Sequence, residues 1–135
     1  MKYLILLISF LLSACAPARH VNLTHDVTLC EVKSNQNNYD GKSISFRAQI
    51  NSDGLENTSL RDPGCRDFSL SIDQGDGDAN WSEVNKIVYG VGDVGTADKI
   101  ISADISGIFH KLPHNGKISV SSITNVKYSM INVKH

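Results

Sequence analysis

Hydrophobic and polar positions alternate with a period of two across "KSISFRAQIN". Ile44, Phe46, Ala48 and Ile50 fall on one side, and Ser43, Ser45, Arg47 and Gln49 on the other. Successive side chains of a strand point to opposite faces, so the pattern predicts a strand with one buried face. The alternation returns at Phe68, Leu70 and Ile72 against Ser69 and Ser71, and a shorter strand is predicted over Thr58 to Arg61. Between these two, "RDPGC" places Pro63 and Gly64 where a tight reversal needs a fixed φ followed by a permissive residue. Two long strands follow, Lys99 to His110 and Lys117 to about Met130, joined by "KLPHNG" with Asn115-Gly116 as the hairpin signal.

A longer period marks two helices. Trp81, Val84, Ile87, Val88 and Val91 recur at helical intervals, with Asn80 and Glu83 in capping-box spacing and Gly90 near the end. Upstream, a short helix is expected around Val27 to Ser34, capped by Asp26 or Thr24 and ended by the Asn-rich stretch and Gly41. The order is helix, three strands, helix, two strands. That is an all-β domain with short helices.

A helix lying between the third and fourth of five strands is the arrangement of the OB-fold, a small Greek-key barrel. The stretch "LCEVKSNQNNYDGKSISFRAQI" resembles the opening of small bacterial OB-type domains, in which a Tyr-x-Gly-Lys step, here Tyr39 to Lys42, leads from a helix into the first strand. "ISADISGIFHK" and "GKISVSSITNVKY" are similar to the closing strand pair of the same domains, so the resemblance covers most of residues 26 to 128. It implies a five-stranded OB-like Greek-key barrel with one helix before the first strand and one between the third and fourth. Ligands of such barrels meet the face of the second and third strands and the loops that rim it. Here that selects Arg61 and Arg66 beside the predicted turn, the loop "NSDGLEN", and His114 with Asn115 on the hairpin.

The first twenty residues, "MKYLILLISF LLSACAPARH", are patterned differently: Lys2, an apolar run from Tyr3 to Leu12, then two small residues before Cys15. The run is shorter than the roughly 20 apolar residues that cross a bilayer, and it has the charged, apolar and small-residue regions of a signal peptide. Leu12-Ser13-Ala14-Cys15 resembles the lipobox of bacterial lipoproteins. The resemblance implies cleavage before Cys15 and attachment of diacylglycerol to its thiol. Residues 1–14 are then signal peptide, 15–25 a lipidated tether and 26–135 the domain. Ala16 stands where an Asp commonly retains such proteins at the inner membrane, so the expected address is the periplasmic face of the outer membrane.

That address changes the reading of the cysteines. The chain has three, and lipidation of Cys15 leaves Cys30 and Cys65 in an oxidising compartment, which favours a disulfide. A metal pair or a redox thiol is the alternative, but neither residue lies in a C-x-x-C spacing. Charge adds an exclusion: 13 Lys and Arg against 14 Asp and Glu give no electrostatic case for nucleic acid.

Candidate chemistry is sparse. "DQGDGDANWSE" gathers Asp73, Asp76, Asp78, Asn80 and Glu83, oxygen ligands that suit calcium. Counted from Asp76 as an EF-hand loop, however, the Gly position is Trp81 and the closing Glu is Ile87. A solvated acidic loop is the expectation. His110 and His114 lie four apart, but Pro113 and the Asn-Gly turn place them on a hairpin and not on one helix face. No G-x-S-x-G elbow occurs. Trp81, the only Trp, is phased with Val84 and Val88 as a core residue, and Asn22 and Asn57 fit N-x-[ST] without consequence in a bacterial lipoprotein. The expected function is a non-catalytic binding module for an envelope protein or component, with no cofactor or metal and with the membrane engaged through lipid. A small envelope hydrolase, or an inhibitor or immunity-type lipoprotein, is the alternative.

Overall fold

Residue by residue, the alternation at 43–50 becomes the strand from which the fold is built. A computed structural model of the chain describes residues 25–73 and 81–132. Cys15, Ala16, Asn22, Asp76, Asp78 and Asn80 lie outside the described residues. The elements are β1 (His25–Asp26), α1 (Leu29–Ser34), α2 (Gln36–Tyr39), β2 (Ser43–Ser52), β3 (Thr58–Arg61), β4 (Ser69–Asp73), α3 (Ser82–Gly90), β5 (Lys99–Lys111) and β6 (Gly116–Met130). The domain is all-β with short helices.

Five strands close a ring. β2 runs antiparallel to β3 from Gln49↔Arg61 to Ser52↔Thr58, and β3 is antiparallel to β4. β4 then pairs parallel with β6, β6 antiparallel with β5, and β5 returns antiparallel to β2 from Ser43↔Ile108 to Ile50↔Ile101. A strand paired on both edges has no exposed ladder, so closure satisfies the backbone groups that an open sheet leaves unpaired. β1 adds a parallel bridge, His25↔Ile44 and Asp26↔Ser45, so the sheet reaches back to His25. α3 sits between β4 and β5 in the chain, as its apolar spacing predicted.

Inward positions form one core: Ile44, Phe46, Ala48 and Ile50 of β2, Leu60, Leu70, then Ile101, Ala103, Ile105 and Phe109 of β5, with Ile118, Val120 and Ile123 of β6. α1 contributes Leu29 and Val32, and α3 contributes Val84, Ile87 and Val88. Burying one such aliphatic side chain is worth roughly 1.5–3 kcal/mol, which makes this shared interior the main stabilising contribution.

Local departures from the sequence reading have identifiable causes. α1 begins at Leu29 with Thr28 as its cap, the Thr28 hydroxyl accepting from Glu31 N–H at 3.1 Å. Asp26 cannot serve there, since it is held in the β1 bridge and Val27 N–H donates to Ser45 O at 2.9 Å. The Asn-rich stretch does not end the helical region: it forms the extra turn α2, which Gly41 stops at φ 74°. At the β5–β6 hairpin, Gly116 does not take the positive φ expected of an Asn-Gly turn. It is buried, and a methyl group at its Cα would press on the Phe109 ring and on Leu70 Cδ2. Gly116 is there for space.

Lys99 is the largest surprise. At 1% relative exposure it is buried in the core, its ammonium donating to the carbonyls of Asp93 and Gly95 and pairing with Asp98 at 2.7 Å. One buried cation thus gathers the loop between α3 and β5.

Candidate functional site

The outward faces of β2, β3 and β4 carry the polar half of each alternation, and this is where the predicted ligand residues meet. A groove of ≈ 670 Å³ runs across them, with Gln49 and Asn51 of β2 and Ser69 of β4 in its lining. Arg61, at the end of β3, and Arg66, in the following turn, line the same groove, as does Asn115 from the β5–β6 hairpin. His114, expected beside Asn115, is exposed at the hairpin and lines neither this groove nor the one that adjoins it.

The turn bearing the arginines is held from both sides. Within it, Asp62 accepts from Gly64 N–H through its carboxylate at 2.8 Å and from Cys65 N–H through its carbonyl at 2.9 Å. Behind it, Cys65 is disulfide-bonded to Cys30 of α1, with Cα atoms 5.2 Å apart, and Lys33 donates to the Arg66 carbonyl at 3.3 Å. The backbone of the turn is therefore fixed while its guanidinium groups are free. Arg47 spends its guanidinium on Asp104 at 2.7 Å and Ser102 at 3.1 Å, whereas among the described residues neither the Arg61 nor the Arg66 guanidinium has a hydrogen bond or ion pair. An unpaired planar fork is preorganised for a carboxylate or another oxyanion. Asp67 lines the groove as well, so the surface is mixed in sign and suits a partner that offers both donors and acceptors.

Asn51 and Arg61 are shared with an adjoining groove of ≈ 710 Å³ that continues to the loop "NSDGLEN" through Asp53, Glu56 and Asn57. Asp53 organises that loop, accepting from Leu55 N–H at 2.8 Å and from the Asn57 side chain at 2.7 Å. Those donors, Leu55 N–H foremost, hold its carboxyl below the usual range. Sequence reasoning had selected Asn51 as part of the loop "NSDGLEN" but had not singled out Gln49 or Ser69. The signal was present, since each lies on the polar side of its strand's alternation.

Other candidates disperse. Asp73, offered above as a calcium ligand, pairs with Lys117 at 2.8 Å, and Glu83 is exposed on α3. Among the described residues no three His, Cys, Asp or Glu side chains gather as a metal site requires. His110 Nε2 lies 3.3 Å from Ser119 Oγ, a contact a hydrolase could use, but neither residue lines either groove. The carboxylate of Asp73, on the strand beside Ser119, is turned to Lys117. Comparison with known proteins returns no matching family, no similar curated protein and no similar solved structure.

Proposed function

We propose that the protein is a lipid-anchored, periplasm-facing lipoprotein of the outer membrane whose OB-like domain is a non-catalytic binding module for an envelope protein. The observation that carries this reading is that Arg61 and Arg66, neither with a guanidinium partner among the described residues, line one groove at a disulfide-backed turn. Both side chains are exposed and, among the described residues, without a structural partner, so they are open to recognition. Arginine is enriched at interface hot spots for the same reason that it suits this groove: a rigid fork loses little entropy on pairing. The mixed charge of the groove favours a polypeptide over a polyanion. The anchor rests on Leu12 to Cys15 and on the similarity of that stretch to a lipobox.

A photoreactive residue placed at Asn51, which both grooves share, tests the reading against the same probe at Ser121, an exposed residue on β6. Irradiation of intact cells is expected to give a discrete adduct from position 51 and none from 121. Equal labelling from both positions, or none, would contradict it.

A further inference from the structure

Main-chain groups along an antiparallel strand turn alternately to its two edges. In β2 the even-numbered residues face β5, as the bond from Phe109 N–H to Lys42 O at the start of that ladder shows. The odd-numbered ones face the other edge, which two strands share. β1 and the following Val27 take the first part, with Val27 N–H on Ser45 O at 2.9 Å, and β3 takes the last part from Gln49↔Arg61 onward. Arg47 lies between them. Among the described residues nothing bonds its main-chain N–H or C=O.

The opening has a cause in the sequence. Continuing the β2–β3 ladder by two residues would set position 63 against Arg47, and position 63 is Pro. Proline has no N–H to give, and the Pro63-Gly64 reversal carries the chain away. On the other side Thr28 caps α1, so the chain leaves the sheet after β1. A cavity of ≈ 550 Å³ lies at this place, with Val27 and Thr28 on one side and Asp62 and Pro63 on the other. Ala48 lines it although its side chain is in the core, so the β2 main chain itself meets the space. Gln49, Asp62 and Pro63 line the arginine groove as well, which makes the two continuous.

The Arg47 guanidinium is spent on Asp104 and Ser102, so what this residue offers a ligand is its peptide group, one donor and one acceptor on a strand edge. A helix has used its main-chain groups internally, and a polyanion brings acceptors without donors. An extended peptide brings both, and main-chain pairing at a sheet edge is a recurring mode of peptide recognition. We infer, on the footing of the function proposed above, that the partner enters the arginine groove as an extended peptide. One of its residues exchanges N–H and C=O bonds with Arg47 in the slot, while a nearby carboxylate meets Arg61 and Arg66.

Hydrogen exchange and a peptide selection test this together. In the free protein the Arg47 amide is expected to exchange at least tenfold faster than the Phe46 and Ala48 amides, which face β5. An Arg47 amide as slow as these would mean that it is already bonded, and would overturn the inference before any ligand is added. Random dodecapeptides displayed on phage are then selected on the full chain, and those also retained by the Arg61→Ala, Arg66→Ala variant are discarded. A remaining peptide, once bound, should slow Arg47 exchange at least tenfold, and methylation of its backbone nitrogens one at a time should weaken binding at least tenfold at a single position. A peptide that needs the arginines yet leaves Arg47 exchange unchanged overturns the slot and leaves the arginine groove standing. Recovery of no arginine-dependent peptide counts against the proposed function itself, and the slot falls with it.

Discussion

Cys30 on α1 and Cys65 in the β3–β4 turn are joined by a disulfide across 35 residues of chain, and the turn it holds is the one that presents Arg66. A cross-link closing a loop of that length removes unfolded-state entropy worth about 4 kcal/mol. The paired substitution Cys30→Ala and Cys65→Ala should therefore lower the unfolding free energy by about 2–4 kcal/mol in denaturant titrations of oxidised protein. Wild-type protein treated with reductant should fall to the same value. If the two agree with untreated wild type, the disulfide is not a structural staple.

Lys99 gives a second prediction. Its ammonium is enclosed by the Asp93 and Gly95 carbonyls and Asp98, so Lys99→Met keeps the apolar stem but leaves those acceptors without their donor. Removing one partner from a buried set costs roughly 3–5 kcal/mol when fully enclosed, and Asp98 is partly exposed, so a loss of about 2–4 kcal/mol is expected. Hydrogen exchange should show the loop 91–98 opening before the ring does. Uniform loss of protection across the domain would argue that Lys99 does not hold that loop specifically.

The strands and α3 were legible because apolar residues had to repeat at two or at three and four to share one core, as Ile44 to Ile50 and Val84 to Val88 do. The arginine groove was legible in part, because Pro63-Gly64 located a turn and Arg61 and Arg66 flanked it. What remained hidden depends on groups distant in the chain. Lys99 at a strand start reads as a solvated charge until the carbonyls of 93 and 95 are seen around it, and Gly116 reads as a turn glycine until Phe109 and Leu70 are seen above it.

Acid should weaken the fold in a defined direction. The Asn125 side chain donates to Asp104 at 2.6 Å and Arg47 pairs with it at 2.7 Å, and these, with Asn125 foremost, hold the Asp104 carboxyl below its usual range. Because the folded state binds this proton less readily than the unfolded one, the contribution is complete above the ordinary carboxylate pKa and is lost as pH falls below it through the folded value. Melting temperature should be flat from pH 7 to about 5 and then decline, with a shallower decline in Asp104→Asn and in high salt. An unchanged slope in Asp104→Asn would remove this group from the account.

The anchor has its own check. Cys15→Ala should leave the leader uncleaved by the lipoprotein route and the chain without acyl groups, and so move it out of the detergent-extracted membrane fraction. Each buried acyl methylene is worth about 0.8 kcal/mol, so several chains on one residue leave little protein free. Membrane partition and mass both unchanged in the variant would refute lipidation at Cys15.

The central claim is that Arg61 and Arg66 exist for recognition and not for folding, and one comparison tests it most directly. Wild-type protein and the Arg61→Ala, Arg66→Ala double variant are recovered from solubilised membranes in equal amount, their co-purifying proteins quantified and their melting temperatures recorded. The account predicts a specific partner reduced at least tenfold in the double variant, with melting temperatures within about 2 °C because neither guanidinium has a partner among the described residues. Equal recovery of every co-purifying protein, or a large drop in melting temperature, would contradict it.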